Sequence, residues 1–124
     1  MSPNILLNVK NKLESQSDLN SNQIDKLISN MRYWKIGKII YPNMIKSLLF
    51  LNYKQVYSML DMIKDMGILE YNYELYCHTC EKFLDKKILR RLNEFPEEIY
   101  CDDGHKLNPF DDTILIYRVI YDGK

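Results

Sequence analysis

Three cysteines and one of the chain's two histidines fall in two tight pairs. "YCHTC" carries Cys77 and Cys80 with two residues between them, and "YCDDGH" carries Cys101 and His105 with three. Twenty residues separate the pairs, so the whole pattern reads Cys-x2-Cys-x20-Cys-x3-His. Two intervening residues let a chain turn until both sulfurs face one point. Gly104 offers the permissive backbone that brings His105 round beside Cys101. Three thiolates and a neutral imidazole complete a tetrahedron around one Zn2+ and leave no open coordination position. The role expected of Cys77, Cys80, Cys101 and His105 is therefore structural. One zinc ion per chain would hold a segment with too little apolar content to fold unaided.

Two such pairs match the zinc-ribbon pattern, in which two knuckles close on one ion. Other chemistries fit less well. A thiol redox pair is the minor alternative, because Cys77-His78-Thr79-Cys80 follows a candidate strand and precedes a candidate helix, "EKFLDKKILRRLN". Only 44 residues follow Cys80, too few to finish a thioredoxin-like fold, and Pro96 in "EFPEE" is not in a strand. The His-x-Glu and Pro-Cys-x-x-Cys of a zinc deaminase are absent. His78 is expected to face solvent, and Asp102 and Asp103 are hard donors ill suited to sit beside thiolates. No phosphate-binding glycine loop or Gly-x-Ser-x-Gly occurs, and both histidines lie near the cysteines. The acidic pairs in "FPEE" and "FDD" read as solvated turns. The sequence reads as that of a protein that is not an enzyme.

The elements that must position these residues follow from local patterning. Ser2 and Pro3 open a short amphipathic helix with Ile5, Val9 and Leu13 on one stripe. Ser21 or Asn22 caps a second helix carrying Ile24, Leu27, Ile28, Met31 and Trp34, ended by Gly37, and "KIIYP" is a short extended piece. Asn43 caps a helix to about Phe50, and a turn at Leu51–Asn52 leads into a helix over 53–66 with Val56, Leu60 and Ile63 inward. Gly67 stops it. "ILEYNYELYC" alternates, with Leu69, Tyr71, Tyr73 and Leu75 opposite Glu70, Asn72 and Glu74, as a half-buried strand does. "TILIYRVIY", 113–121, is apolar on both faces except at Arg118 and so reads as a central strand pairing antiparallel with 68–76. The expectation is an α+β chain. Residues 1–76 form a helical part, 77–112 a zinc-ribbon-like insertion, and 113–124 a strand completing the hairpin.

Short helix, turn, longer helix, then "GIL" into a strand resembles the winged helix-turn-helix superfamily over roughly residues 22–76 plus the later strand. That resemblance makes 53–66 a recognition helix, with Lys54, Gln55, Ser58 and Met62 as its contacts to DNA or to a partner. Asp61 and Asp65 on the same outward face, and Glu70 and Glu74 on the wing, repel phosphate. Lys35, Lys38 and Lys46 offer a modest counterweight. The chain is neutral overall, but residues 1–67 hold nine Lys/Arg against five Asp/Glu and 68–124 hold eight against twelve. The exposed Met62 and the ten tyrosines suit protein contact. The favoured function is a non-catalytic accessory or adaptor protein binding other proteins, and the alternative is a regulator reading duplex DNA. The arrangement is also distantly similar to small accessory components of bacterial multi-protein systems, such as the middle component of three-component ABC-ATPase defence loci. A homodimer contact through the N-terminal helix fits either function. An odd cysteine count, no secretory start and no run of roughly 18 apolar residues point to the cytoplasm and away from membranes. The richness in Asn, Lys, Ile and Tyr has the look of an AT-rich bacterial or phage genome.

Overall fold

A computed structural model describes residues 1–85 and 88–123. Among the described residues two helices, a short strand and two more helices are followed by three strands. Helix α1 (Pro3–Gln16) starts where Ser2 accepts a hydrogen bond from the Ile5 N–H, with Pro3 at the first helical position. Helix α2 (Ser21–Met31) is capped by Asn20 rather than by Ser21 or Asn22. Asn20 and Gln23 satisfy each other's backbone N–H groups in a reciprocal box. An amide three residues before Gln makes this geometry available, and neither Ser21 nor Asn22 has a partner so placed.

Strand β1 (Ile39–Ile40) is followed by α3 (Pro42–Leu49), whose N-cap position is Tyr41 and not Asn43, because Pro42 takes the first helical position. Phe50 closes α3 in the left-handed conformation, φ 56°. Helix α4 (Tyr53–Asp65) opens on a second reciprocal box, Asn52 with Gln55. Gly67, at φ 84°, turns the chain into β2 (Leu69–Cys77). β3 (Lys82–Phe83) and β4 (Thr113–Val119) complete an antiparallel sheet in the order β1-β4-β2-β3. β4 is central, as its two-faced apolarity predicts. Ile39 pairs with Arg118 and Ile40 with Tyr117. The Ile120 N–H donates to Ile68 and the Tyr76 N–H to Asp112, so partners descend as β2 ascends and the two strands run antiparallel.

The chain divides into two compact units. Met1–Glu70 with the residues from Tyr117 form the first, in which α1 packs on α2, α2 on α3 and α3 on α4. Its core includes Val9, Leu13, Leu27, Met31, Trp34, Val56, Leu60, Ile63 and Tyr117, all buried. The apolar stripe of α1 is Leu6, Val9 and Leu13, one step from the expected Ile5, and this stripe is spent inside the unit. Tyr71–Ile116 form the second unit. Among its described residues only Leu75, Cys77, Leu89, Leu107 and Ile116 are buried apolar side chains. Forty-six residues around five such side chains make a thin core, well short of what a small domain needs to stand by itself.

Two local expectations are corrected. Asn72 is fully buried instead of facing solvent, its amide donating to the Tyr71 carbonyl, so the simple alternation of β2 breaks there. The helix expected behind Cys80 does not form among the described residues. β3 and a 3-10 turn at Leu92–Glu94 occupy that stretch, while Lys86 and Lys87 lie outside the described residues. The chain instead runs back along β2, pairing Phe83 with Tyr76 and, further on, Leu89 with Tyr73. Pairing β2's open edge satisfies backbone groups that a helix would have left unpaired.

Candidate metal centre

Each of the two ligand pairs, Cys77 with Cys80 and Cys101 with His105, sits at the tip of a hairpin. β2 ends on Cys77, the turn 78–81 carries Cys80, and Glu81 at φ 56° sends the chain into β3, where Lys82 pairs back with Cys77. The second tip is a three-residue loop. Tyr100 pairs with Lys106, Cys101 and His105 face each other, and the Cys101 N–H donates to the His105 carbonyl at 3.0 Å. Gly104, at φ 87°, supplies the left-handed residue that closes a loop of this length. The His105 N–H donates to the Cys101 sulfur at 3.3 Å, turning that sulfur toward the middle of the cluster.

The two tips bring Cys77, Cys80, Cys101 and His105 together, with one ligand atom from each all within 4.8 Å of one another. Cys80 and Cys101 Sγ are 3.6 Å apart, and Cys77 Sγ is 3.8 Å from His105 Nδ1. A tetrahedral ion with metal–sulfur bonds of about 2.3 Å and metal–nitrogen bonds of about 2.0 Å needs edges of about 3.5–3.8 Å. Those two edges match. Cys80 and Cys101 Sγ approach Nδ1 more closely, at 3.0 and 3.2 Å, so His105 stands slightly inside the ideal tetrahedron. Three thiols and an imidazole with no oxygen at the apex fit a thiophilic, four-coordinate ion. Asp103 Oδ2 reaches Cys80 Sγ at 3.1 Å but does not join the four donors.

The electrostatics of the cluster oppose three free thiolates. Asp103's carboxylate, then burial and the neighbouring Cys101 and Cys77 sulfurs, push the Cys80 thiol well above its ordinary range. Burial also raises Cys101. The backbone N–H groups of His105 and Asp103, with the Cys80 and His105 side chains, outweigh it and bring that thiol down to about 6. One negative charge is thus favoured on Cys101 and refused at Cys80. A bound divalent cation reverses this, because a coordinating thiol loses its proton outright.

Cys77 is buried, whereas Cys80 and Cys101 line an open hollow of about 270 Å³ with Phe83, Tyr100 and Asp103. The cluster is therefore anchored on one side and reachable from solvent on the other.

Asp112, the last residue of "FDD", does not sit in a solvated turn as expected but is buried, and it supports the first knuckle. It is buried to 1% exposure and accepts hydrogen bonds from the His78 and Asn108 N–H groups, at 3.1 and 2.9 Å. The exposed His78 ring also closes on it through Nδ1. Burial raises the Asp112 carboxyl, but these donors prevail and hold it below the usual carboxylate range, while Asp112 raises His78. His78 is exposed as expected, yet its ring is tied to the loop before β4. "NPFDD" signals a turn, but nothing in the sequence links it to a residue 34 positions earlier.

Lys54, Gln55, Ser58 and Met62 belong to the first unit, and the four metal-ligand candidates to the second. Lys54 and Ser58 are exposed, while Gln55 and Met62 are half-buried. Gln55 Oε1 accepts from the Asn52 N–H at 3.0 Å, so its amide is engaged in the helix cap. Asp61, expected to face outward, accepts a hydrogen bond from the Tyr117 hydroxyl at 2.7 Å and is half-buried. In comparisons with protein families, curated proteins and solved structures, nothing matches this chain.

Proposed function

We propose that this chain is a non-catalytic, zinc-stabilised winged-helix adaptor that binds partner proteins. The order α2, β1, α3, α4, β2, β4, with β4 lying between β1 and β2 in the sheet, supports the winged-helix reading. The two ligand-bearing hairpin tips support a zinc-ribbon-like second unit, and the donor set of three cysteines and a histidine supports zinc.

One observation carries the preference for protein over DNA. Residues 16–19 stand beside the outward face of α4 and with Asn52, Lys54, Ser58 and Met62 enclose a hollow of about 540 Å³. A DNA major groove is about 12 Å wide, and a helix with its side chains already fills about 10–12 Å. A second segment along its flank crowds the approach of such a helix to the groove. The charges agree, since Asp18 lines the same hollow as Lys54, and Lys64 is paired with Asp65 at 3.6 Å. Gln55, the natural base reader at this end, is held in the cap.

The test is a duplex DNA titration at two salt concentrations beside affinity capture from the native host. A stoichiometric protein partner recovered after nuclease treatment is the expected outcome. Micromolar duplex binding that weakens steeply with salt and disappears in Lys54→Glu would overturn the adaptor reading.

A further inference from the structure

We infer that the groove between α2 and α3 is a docking site for an acidic, amphipathic segment of a partner protein. This deepens the adaptor reading and rests on it. Two hollows of about 420 and 480 Å³ adjoin there, sharing Asn30 and Leu48 in their walls. Ile39 and Met44 line the first and Tyr33 the second. Met44 is 66% and Tyr33 79% exposed, an apolar outlay that the unit's own core does not use. Phe50 adds to it. It is 84% exposed and held at φ 56°, a backbone region that a bulky side chain rarely adopts. Lys26, which lines the second hollow, lies 5.5 Å above its ring.

Charge selects the occupant. Residues 20–50 carry Lys26, Arg32, Lys35, Lys38 and Lys46 against a single acid, Asp25. Asp25 lines the second hollow beside Lys26 and is itself paired with Lys10 at 3.8 Å, so Lys26 and Lys38 leave the lining of the two hollows with a net positive charge. Lys38 lines the first hollow and Lys26 the second, so cations flank an apolar floor at both ends. A segment with Leu, Met or Phe at helical spacing and Asp or Glu between them satisfies both features. Nucleic acid satisfies only the second, since phosphate tracking has no use for aliphatic hollows built from Ile39, Met44 and Leu48.

The experiment is selection of a displayed random-peptide library on the full, zinc-loaded chain, followed by anisotropy titration of the enriched peptides. Enrichment of sequences that combine acidic residues with large apolar ones three or four positions apart is expected. Their affinity should fall at least tenfold in Met44→Glu, and several-fold in Lys26→Glu with Lys38→Glu, with the helical spectrum of each variant unchanged. Failure to enrich any peptide, enrichment of neutral or basic ones, or binding indifferent to Met44→Glu overturns the proposal. So does displacement of the peptides by an equal concentration of oligothymidylate, which assigns the groove to single-stranded nucleic acid. A native partner captured equally by wild type and by Met44→Glu would leave the adaptor reading standing and place its site elsewhere.

Discussion

Removing the metal should unfold one unit and spare the other. Besides the Cys77 ligand, the described residues of the second unit bury four apolar side chains, worth about 1.5–3 kcal/mol each and so about 6–12 kcal/mol together. A structural zinc contributes about 10–16 kcal/mol at neutral pH. The two terms are of the same size, so chelation withdraws about half of the favourable free energy available to residues 71–116. Such a loss is as large as the margin of about 5–15 kcal/mol by which whole domains are stable. The first unit has a helical core of its own and loses nothing directly. Cys80 and Cys101 face the open hollow, so a chelator reaches the site without prior unfolding. Elemental analysis should give one zinc per chain. Hydrogen exchange with and without chelator should then show protection lost at 75–77, 89 and 99–107 and kept in α2 and α4. Cys101→Ser should reproduce the chelated pattern. Metal-free, reduced protein that keeps full protection at 99–107 would refute the argument that the ion, and not the small core, holds this unit.

Four further outcomes follow from single residues. Asp112→Ala leaves the His78 and Asn108 N–H groups without their buried acceptor and should cost about 2–4 kcal/mol in urea unfolding of the zinc-loaded protein. Glu81→Gly relieves a left-handed non-glycine residue and should stabilise by about 0.5–1 kcal/mol, whereas Gly104→Ala, at φ 87° with no neighbour within 4 Å, should destabilise through backbone strain alone. Among the described residues nothing hydrogen-bonds Glu74 Oε2, and desolvation raises this carboxyl above its usual range. A raised carboxyl pKa means the folded state prefers the proton, so its contribution is favourable in acid and is lost as pH rises through the folded value. Glu74→Gln should therefore be the more stable form at neutral pH, with the difference from wild type shrinking toward pH 4.5 in paired denaturant titrations.

What the sequence determined by itself are the features set by local rules. Pro3 beside Ser2 starts α1, Gly67 ends the α4 region, and the two-faced apolarity of 113–119 makes β4 central, because caps, φ preferences and strand patterning act over a few residues. The four metal-ligand candidates belong here too, since their spacing alone bends each pair toward one point. Where rival local signals were equal, packing chose among them. Leu6 rather than Ile5 joins the core, because the neighbouring helix α2 settles the phase of α1. Long-range pairing lay beyond any local signal. The segment after Cys80 has the composition of a helix, yet it lies along β2 because that edge offers backbone partners. Asn72 turns inward, Asp61 meets Tyr117 and Asp112 grips His78 across gaps of up to 56 residues. A polar side chain states only that it needs a partner; the tertiary structure decides which one comes within 3 Å.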